Sequence, residues 1–266
     1  ANIKSVTVTN KTITHFRTKY FMYPPNLYYL KEKGSAWFNP SYGIMGFFQE
    51  SKKISEKLNI PYTETWKHRS MQRAKEIYAT AIVAKAMSKQ EQQQWWIYKP
   101  NADPPDGVIG TIIHRGDTPV MHVREVEVVE HIDGDLADTI RTKLSQKYYE
   151  PNTILACYVT KGGVFDLDNL ATTFSKEATN LEHIFLVFPG QKLSDIDASL
   201  PKEELLKSML KISSVQIKPV LSYITIDPLT DCKPWMEGEE GTFFIYEGLG
   251  KGEARPITLE NPPKLF

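Results

Sequence analysis

Two stretches, Ile154 to Val159 and His183 to Phe188, run almost without a polar interruption, and they restrict what this chain can fold into more than any other feature. A strand with one wet face alternates apolar and polar residues. A strand that does not alternate must be covered on both faces. Between the two runs, Leu167 to Ala178 has helical spacing. Before them, a helix is expected from about Asp135 to Tyr149, with Leu136, Ile140, Leu144 and Tyr148 on one face. Buried strands separated by helices imply an α/β protein with helices on both sides of its sheet.

Upstream, Val108 to His114 and Val120 to Val129 read as strands joined by a hairpin at Arg115-Gly116-Asp117. Trp95 to Tyr98 is a short strand stopped by Pro100, and Glu64 to Met87 is a long helix with Ala74, Ile77, Tyr78, Ala81 and Ile82 on its apolar stripe. Ser51 to Leu58 is expected to be a short helix ended by Asn59 and Pro61. Earlier still, Lys4 to Thr9 and Thr12 to Thr14 alternate like strands. The segments 21–29 and 37–42 are aromatic and turn-rich, suited to packing on the core or to stacking on bases. Beyond 190, a short helix is expected over Lys202 to Met209. Val215 to Ile226 is extended, with Pro219 marking an edge or bulge, and Gly241 to Tyr246 is a late strand. The resulting division is an N-terminal extension (1–60), a core (61–190) and a C-terminal α+β extension (191–266).

At 266 residues the chain is long enough for one large core or two smaller ones. Cys157 and Cys232 have no paired spacing, so a disulfide scaffold is excluded. No stretch reaches the roughly 18 apolar residues of a membrane span, and the first residues lack a basic segment followed by an apolar run. A cytoplasmic location is the expectation. The net charge is zero, yet residues 1–104 hold 16 Lys+Arg against 7 Asp+Glu, while residues 105–266 hold 16 against 25. A basic N-terminal portion can offer phosphates a surface while the whole stays neutral.

Three acids stand out. Asp106 opens a strand in Pro104-Pro-Asp-Gly-Val-Ile-Gly110, and Glu125 and Glu127 share one face of the next strand in Arg124-Glu-Val-Glu-Val128. If the two strands are antiparallel neighbours, Asp106 lies beside the end of the second. Three acids on one sheet face repel, and burying them needs a compensating positive charge. A hard divalent ion, Mg²⁺ or Mn²⁺, suits oxygen ligands. The competing expectation puts Glu125 and Glu127 on the solvent face of an edge strand beside lysine or arginine partners. His114, His122 and His131 have no zinc spacing. His122 points away from the two glutamates, and His131 is expected on a surface loop.

A helix, a strand, Pro-Pro-Asp-Gly-Val-Ile-Gly, Arg-Glu-Val-Glu-Val, a helix and a buried strand together resemble the PD-(D/E)XK nuclease superfamily over roughly residues 64 to 188. The resemblance implies a restriction-endonuclease-like αβββαβ core, a central mixed sheet flanked by helices, and Mg²⁺-dependent cutting of DNA. Asp106 then resembles the metal-binding Asp and Glu125 the acid of the second half-motif, while Glu127 stands where a lysine is usual. An alternative register makes Glu127 the ligand and puts Val129 at the lysine position. In some members the lysine has moved to the following helix, for which Lys143 and Lys147 qualify. A further Glu on the first helix is matched by Glu76. Double-stranded DNA is the expected partner. A Type II restriction enzyme acting as a homodimer is one form of this reading. A repair, transposon-associated or RNA-directed nuclease is another, and a non-catalytic nucleic-acid-binding module on a degenerate scaffold is the rival.

Overall fold

A computed structural model of the chain describes residues 4–8, 13–17, 35–100, 105–115, 118–146, 148–160, 163–177, 179–190, 211–232, 243–246 and 265. Nine strands form one mixed sheet: β3 (Ser35–Phe38), β4 (Trp95–Tyr98), β5 (Gly107–Arg115), β6 (Thr118–His131), β7 (Thr153–Val159), β8 (His183–Phe188), β9 (Ile212–Lys218), β10 (Ser222–Ile226) and β11 (Phe243–Tyr246). Their spatial order is β10-β9-β8-β7-β6-β5-β4-β3-β11. Strands β1 (Lys4–Val8) and β2 (Ile13–Arg17) pair separately. Among the described strands only β6–β7 and β7–β8 are parallel pairs, and both need a crossover connection. Helices α4 (Leu136–Ser145) and α5 (Leu167–Lys176) supply the crossovers. They cover one sheet face through Leu136, Ile140, Leu155, Phe174 and Leu186.

The opposite face is covered by α1 (Pro40–Leu58) and α3 (Gln72–Glu91), which pack on Val126, Tyr158 and Phe185. Every residue from Ala74 to Ala84 in α3 is buried, so this helix lies inside the molecule with no wet face. Its four alanines over that stretch let neighbours approach closely. Two short helices, α2 (Tyr62–Thr65) and α6 (Pro228–Asp231), complete the described helical elements, with one 3₁₀ turn at Arg69–Met71. Among the described residues no helix is long and apolar enough to cross a membrane.

Several expectations need correction. The long helix expected over 64–87 is broken at 66–68. There Trp66 packs on Phe47, with ring centroids 5.4 Å apart, and the His68 ring accepts the Ser70 N–H to start a new turn. The helix expected over 51–58 begins at Pro40, because Asn39 caps it by accepting the Ser41 N–H at 3.0 Å and Pro40 needs no donor in the first turn. Helix α4 ends at Ser145, short of Tyr149, so Tyr148 leaves the apolar face and is 71% exposed. Pro219 lies in the turn between β9 and β10. The helix expected over 202–209 lies outside the described residues.

The position of β6 sets up everything that follows. It pairs antiparallel with β5 from Arg115↔Thr118 to Gly107↔Val126, and parallel with β7 from Glu125↔Thr153 to His131↔Val159. The two pairings overlap only at Glu125 and Val126. Beyond Val126, β6 continues with β7 on one side after β5 has ended on the other.

The packing of α1 on α3 can be tested at Gly43, where an added Cβ would stand 2.6 Å from Ala81 Cβ and 2.9 Å from Ile97 Cδ1. Helix propensity alone favours alanine by about 1 kcal/mol, but overpacking costs about 1–3 kcal/mol. Gly43→Ala is therefore expected to lower the thermal midpoint, and an unchanged or raised midpoint would show that the two helices are not in this contact.

Candidate active site

Where β5 begins, the backbone of β6 loses a hydrogen-bond partner, and Asp106 replaces it. The side-chain Oδ2 of Asp106 accepts the Val128 N–H at 2.7 Å. This holds a carboxylate, only 9% exposed, next to Glu127, which is 4% exposed. Lys143, on the last turn of α4, approaches from the opposite layer, its Nζ 3.3 Å from Glu127 Oε2. The Asp-Gly pair has a packing reason: a Cβ on Gly107 would lie 2.2 Å from Thr80 Oγ1, so only glycine lets α3 come this close to the strand.

That closeness brings the first turns of α3 to the site. Glu76 accepts from Gln72 Nε2 at 3.0 Å and from the Arg73 guanidinium at 3.0 Å. Arg73 also donates to the carbonyls of Asp106 (3.2 Å) and Pro100 (2.7 Å), fixing the backbone that leads into β5. The site is thus a notch between two helices, floored by the point where β5 and β6 part.

Its electrostatics are uneven. Burial raises the Asp106 pKa to about 6; the Val128 N–H opposes the shift, the charges of Glu127 and Glu76 add to it, and Lys143 pulls it back. Tyr149 is pushed up to about 12, by burial first and then by the negative charges of Glu127 and Asp106, so its ring borders the same notch. Its hydroxyl donates to the Lys143 carbonyl at 3.0 Å and ties down the end of α4. Lys99 is lowered, by burial first and then by Arg73.

Asp106, Glu127, Glu76 and Lys143 are therefore brought together. Glu125 is not among the groups whose charge acts on Asp106. It sits two residues back along β6, about 7 Å away by strand geometry, opposite Val108. Lys147 lies outside the described residues. The competing expectation is overturned as to an exposed edge strand, since β6 is flanked by β5 and β7 and Glu127 is buried, but the cationic partner it expected is present for Glu127 as Lys143. His131 is also buried, not on a surface loop, with its ring Nδ1 2.9 Å from Thr139 Oγ1. Comparison with protein-family models, curated proteins and solved structures returns no match.

Sequence reading missed Arg73, Lys99 and Tyr149. Arg73 stands one helical turn before Glu76, a spacing that pairs an arginine with a glutamate and could have pointed to it. Nothing in the local pattern marks Lys99 or Tyr149, whose roles depend on how the layers stack.

Among the described residues no group of three His, Cys, Asp or Glu side chains could hold a metal ion. A two-carboxylate site suits Mg²⁺, which commonly keeps several waters and takes one or two protein carboxylates with substrate phosphate oxygens. Asp106 Oδ2 is committed to Val128, while no hydrogen bond to Oδ1 is formed among the described residues. Donor chemistry and burial fit a small hard cation between Asp106 and Glu127.

Ionised Asp106 is a cost to the fold. Its carboxyl titrates near 6 when folded and near 3.8 when unfolded, so the unfolded chain ionises first as pH rises. The penalty is absent below about 3.8, grows between the two values and is complete above about 6, where it amounts to on the order of 3 kcal/mol. Asp106→Asn, which keeps an acceptor for Val128 N–H, is expected to raise the thermal midpoint at pH 7.5 and to have little effect at pH 4. Millimolar Mg²⁺ is expected to raise the midpoint of the parent and not of the variant. Equal midpoints at pH 7.5 would contradict the electrostatic account.

Proposed function

We propose that the chain is a metal-dependent nuclease that hydrolyses phosphodiester bonds of DNA, built on a restriction-endonuclease-like core. The observation that carries this reading is the meeting of buried Asp106 and Glu127, with Lys143 in contact with Glu127, where β5 and β6 diverge. Support also comes from the element order: helix α3, the antiparallel strands β4, β5 and β6, crossover helix α4, and parallel strand β7. That is the order expected of an αβββαβ core. The geometry favours the register in which Glu127 is the acid of the second half-motif, with Val129 at the usual lysine position and the lysine supplied from α4 as Lys143.

In this reading Asp106 and Glu127 hold Mg²⁺, or Mn²⁺ in its place, with Glu76 nearby. When bound, the cation lowers the pKa of a water and polarises a phosphate oxygen. Lys143 turns from Glu127 toward the attacking water and the charge that builds on phosphorus, giving electrostatic stabilisation. Water oxygen would bond to phosphorus and release a proton to solvent, the bond from phosphorus to the departing oxygen would break, and the departing oxygen would take up a proton from solvent. Arg73 keeps Glu76 and the Asp106 backbone in place during these steps. The exposed Lys67 and Arg69 ahead of α3 offer contacts to flanking phosphates, which would make binding fall steeply with salt. Cutting both strands of a duplex at a defined site would call for two copies related by a two-fold axis.

The rival is a nucleic-acid-binding module that has lost catalysis. It is favoured by the ion pairs that already neutralise Glu127 and Glu76. Nicking of supercoiled plasmid with Mg²⁺ or Mn²⁺, and its loss in EDTA, separates the two. Asp106→Ala and Glu127→Ala are expected to remove measurable nicking, and Lys143→Met to slow it by about 10²–10³-fold, the range for a lost stabilising donor. Glu125→Gln is expected to change the rate much less. Nicking that survives in both alanine variants would overturn the assignment, and a Glu125→Gln loss as deep as that of Glu127→Ala would restore the other register.

A further inference from the structure

Beside the notch, a cavity of ≈ 330 Å³ opens between the end of α4 and the segment leading into β8. Leu144 and Leu181 contribute apolar surface, and Tyr148, Tyr149 and Asn180 also line it. Its charged members cancel, because Arg141 Nε donates to Glu177 Oε1 at 2.9 Å while the guanidinium lies 5.9 Å over the Phe174 ring. The cavity therefore has no net attraction for a phosphate. What it offers is flat and amphipathic. Tyr148 is 71% exposed, which leaves its ring open to a flat ligand. Asn180 makes no side-chain hydrogen bond among the described residues, so its amide can both donate and accept.

Tyr149 joins this cavity to the carboxylates. It lines the cavity, its hydroxyl anchors the Lys143 carbonyl, and it senses the charges of Glu127 and Asp106. A ligand in the cavity would be adjacent to whatever phosphate is cut. We propose that the cavity takes a nucleobase of the substrate strand, unstacked from its neighbours, with Tyr148 as a stacking platform and Asn180 reading the base edge. This rests on the phosphodiester reading and adds a specificity element to it. A recess with no net charge, lined by two tyrosines and next to a proposed backbone-cutting site, matches how proteins hold bases from single-stranded or locally opened DNA.

The test uses the full chain in EDTA, so that no strand is cut. Fluorescence anisotropy compares a labelled oligothymidine with a labelled abasic deoxyribose-phosphate strand of the same length. The parent protein is expected to bind the oligothymidine about tenfold more tightly, a factor within the range for one base stacked on an aromatic ring. Tyr148→Ala and Asn180→Ala, both at exposed positions, are each expected to remove most of that preference and to leave affinity for the abasic strand unchanged. Equal binding of the two strands by the parent overturns the pocket, as does a preference that survives in Tyr148→Ala. Plasmid nicking separates the two proposals. Cutting with no base preference removes the pocket alone, whereas a Tyr148-dependent preference in a protein that never cuts with any divalent ion removes the nuclease reading and keeps the base site.

Discussion

The hydrogen bond from the Val128 N–H to Asp106 Oδ2 is the contact on which the site depends. A strand inside a sheet must satisfy its backbone groups on both sides, and an unpaired buried N–H costs free energy comparable to a lost hydrogen bond. Strand β6 runs past the start of β5, and the orphaned donor would go unmet if an apolar residue stood at 106. A carboxylate solves the backbone problem and creates an electrostatic one, because it is carried into a buried position beside Glu127. The parting of two strands thus explains both why a hydrogen-bond acceptor occupies position 106 and why, the acceptor being a carboxylate, its proton is held more tightly than usual.

The surrounding layers compensate incompletely. Lys143 reaches Glu127 from α4, and Arg73 reaches Glu76 from α3, but the direct partner of Asp106 is a neutral amide. A structural role alone would be met by an asparagine, which accepts from Val128 equally well without the desolvation cost. A buried acid whose charge burdens the fold is a candidate for binding or chemistry, and the proposed function rests on that. A second ion pair, buried Lys75 with half-buried Glu130 at 2.6 Å, lies on the α3 face of the sheet and has both charges matched. Glu127 and Glu130 on β6 thus each have a cationic partner, whereas among the described residues Asp106 has only the amide of Val128.

The sheet was legible where residues report on their own neighbourhood. The apolar runs of β7 and β8, the hairpin of β5 and β6, and the periodicities of α4 and α5 all mark elements whose burial pattern is local. Helix α1 was only half legible, since Gly43 and Gly46 lower helix propensity in its first turns, and Gly43 is tolerated because the packing against α3 needs it small. In the site, Asp106 and Glu127 could be paired from alternation and an antiparallel hairpin. The choice between Glu125 and Glu127 could not, because it depends on where β5 stops, and a strand end is set by the loop before it and by the fit of Thr80 against Gly107. Lys143 was one of two lysines a turn apart; its contact with Glu127 depends on how α4 packs on the sheet, and Lys147 lies outside the described residues. Tyr149 was placed on the helix, whereas it lies beyond the helix end and folds back onto it.

The account makes one claim that reaches every part of the site: Asp106 and Glu127 share a divalent cation. Crystals of the full chain grown with Mn²⁺ and measured at the manganese absorption edge test it directly. The account predicts an anomalous peak within coordination distance of one Asp106 oxygen and one Glu127 oxygen, with the Lys143 ammonium displaced from Glu127. A map with no peak there, with Lys143 still seated on Glu127, would contradict it.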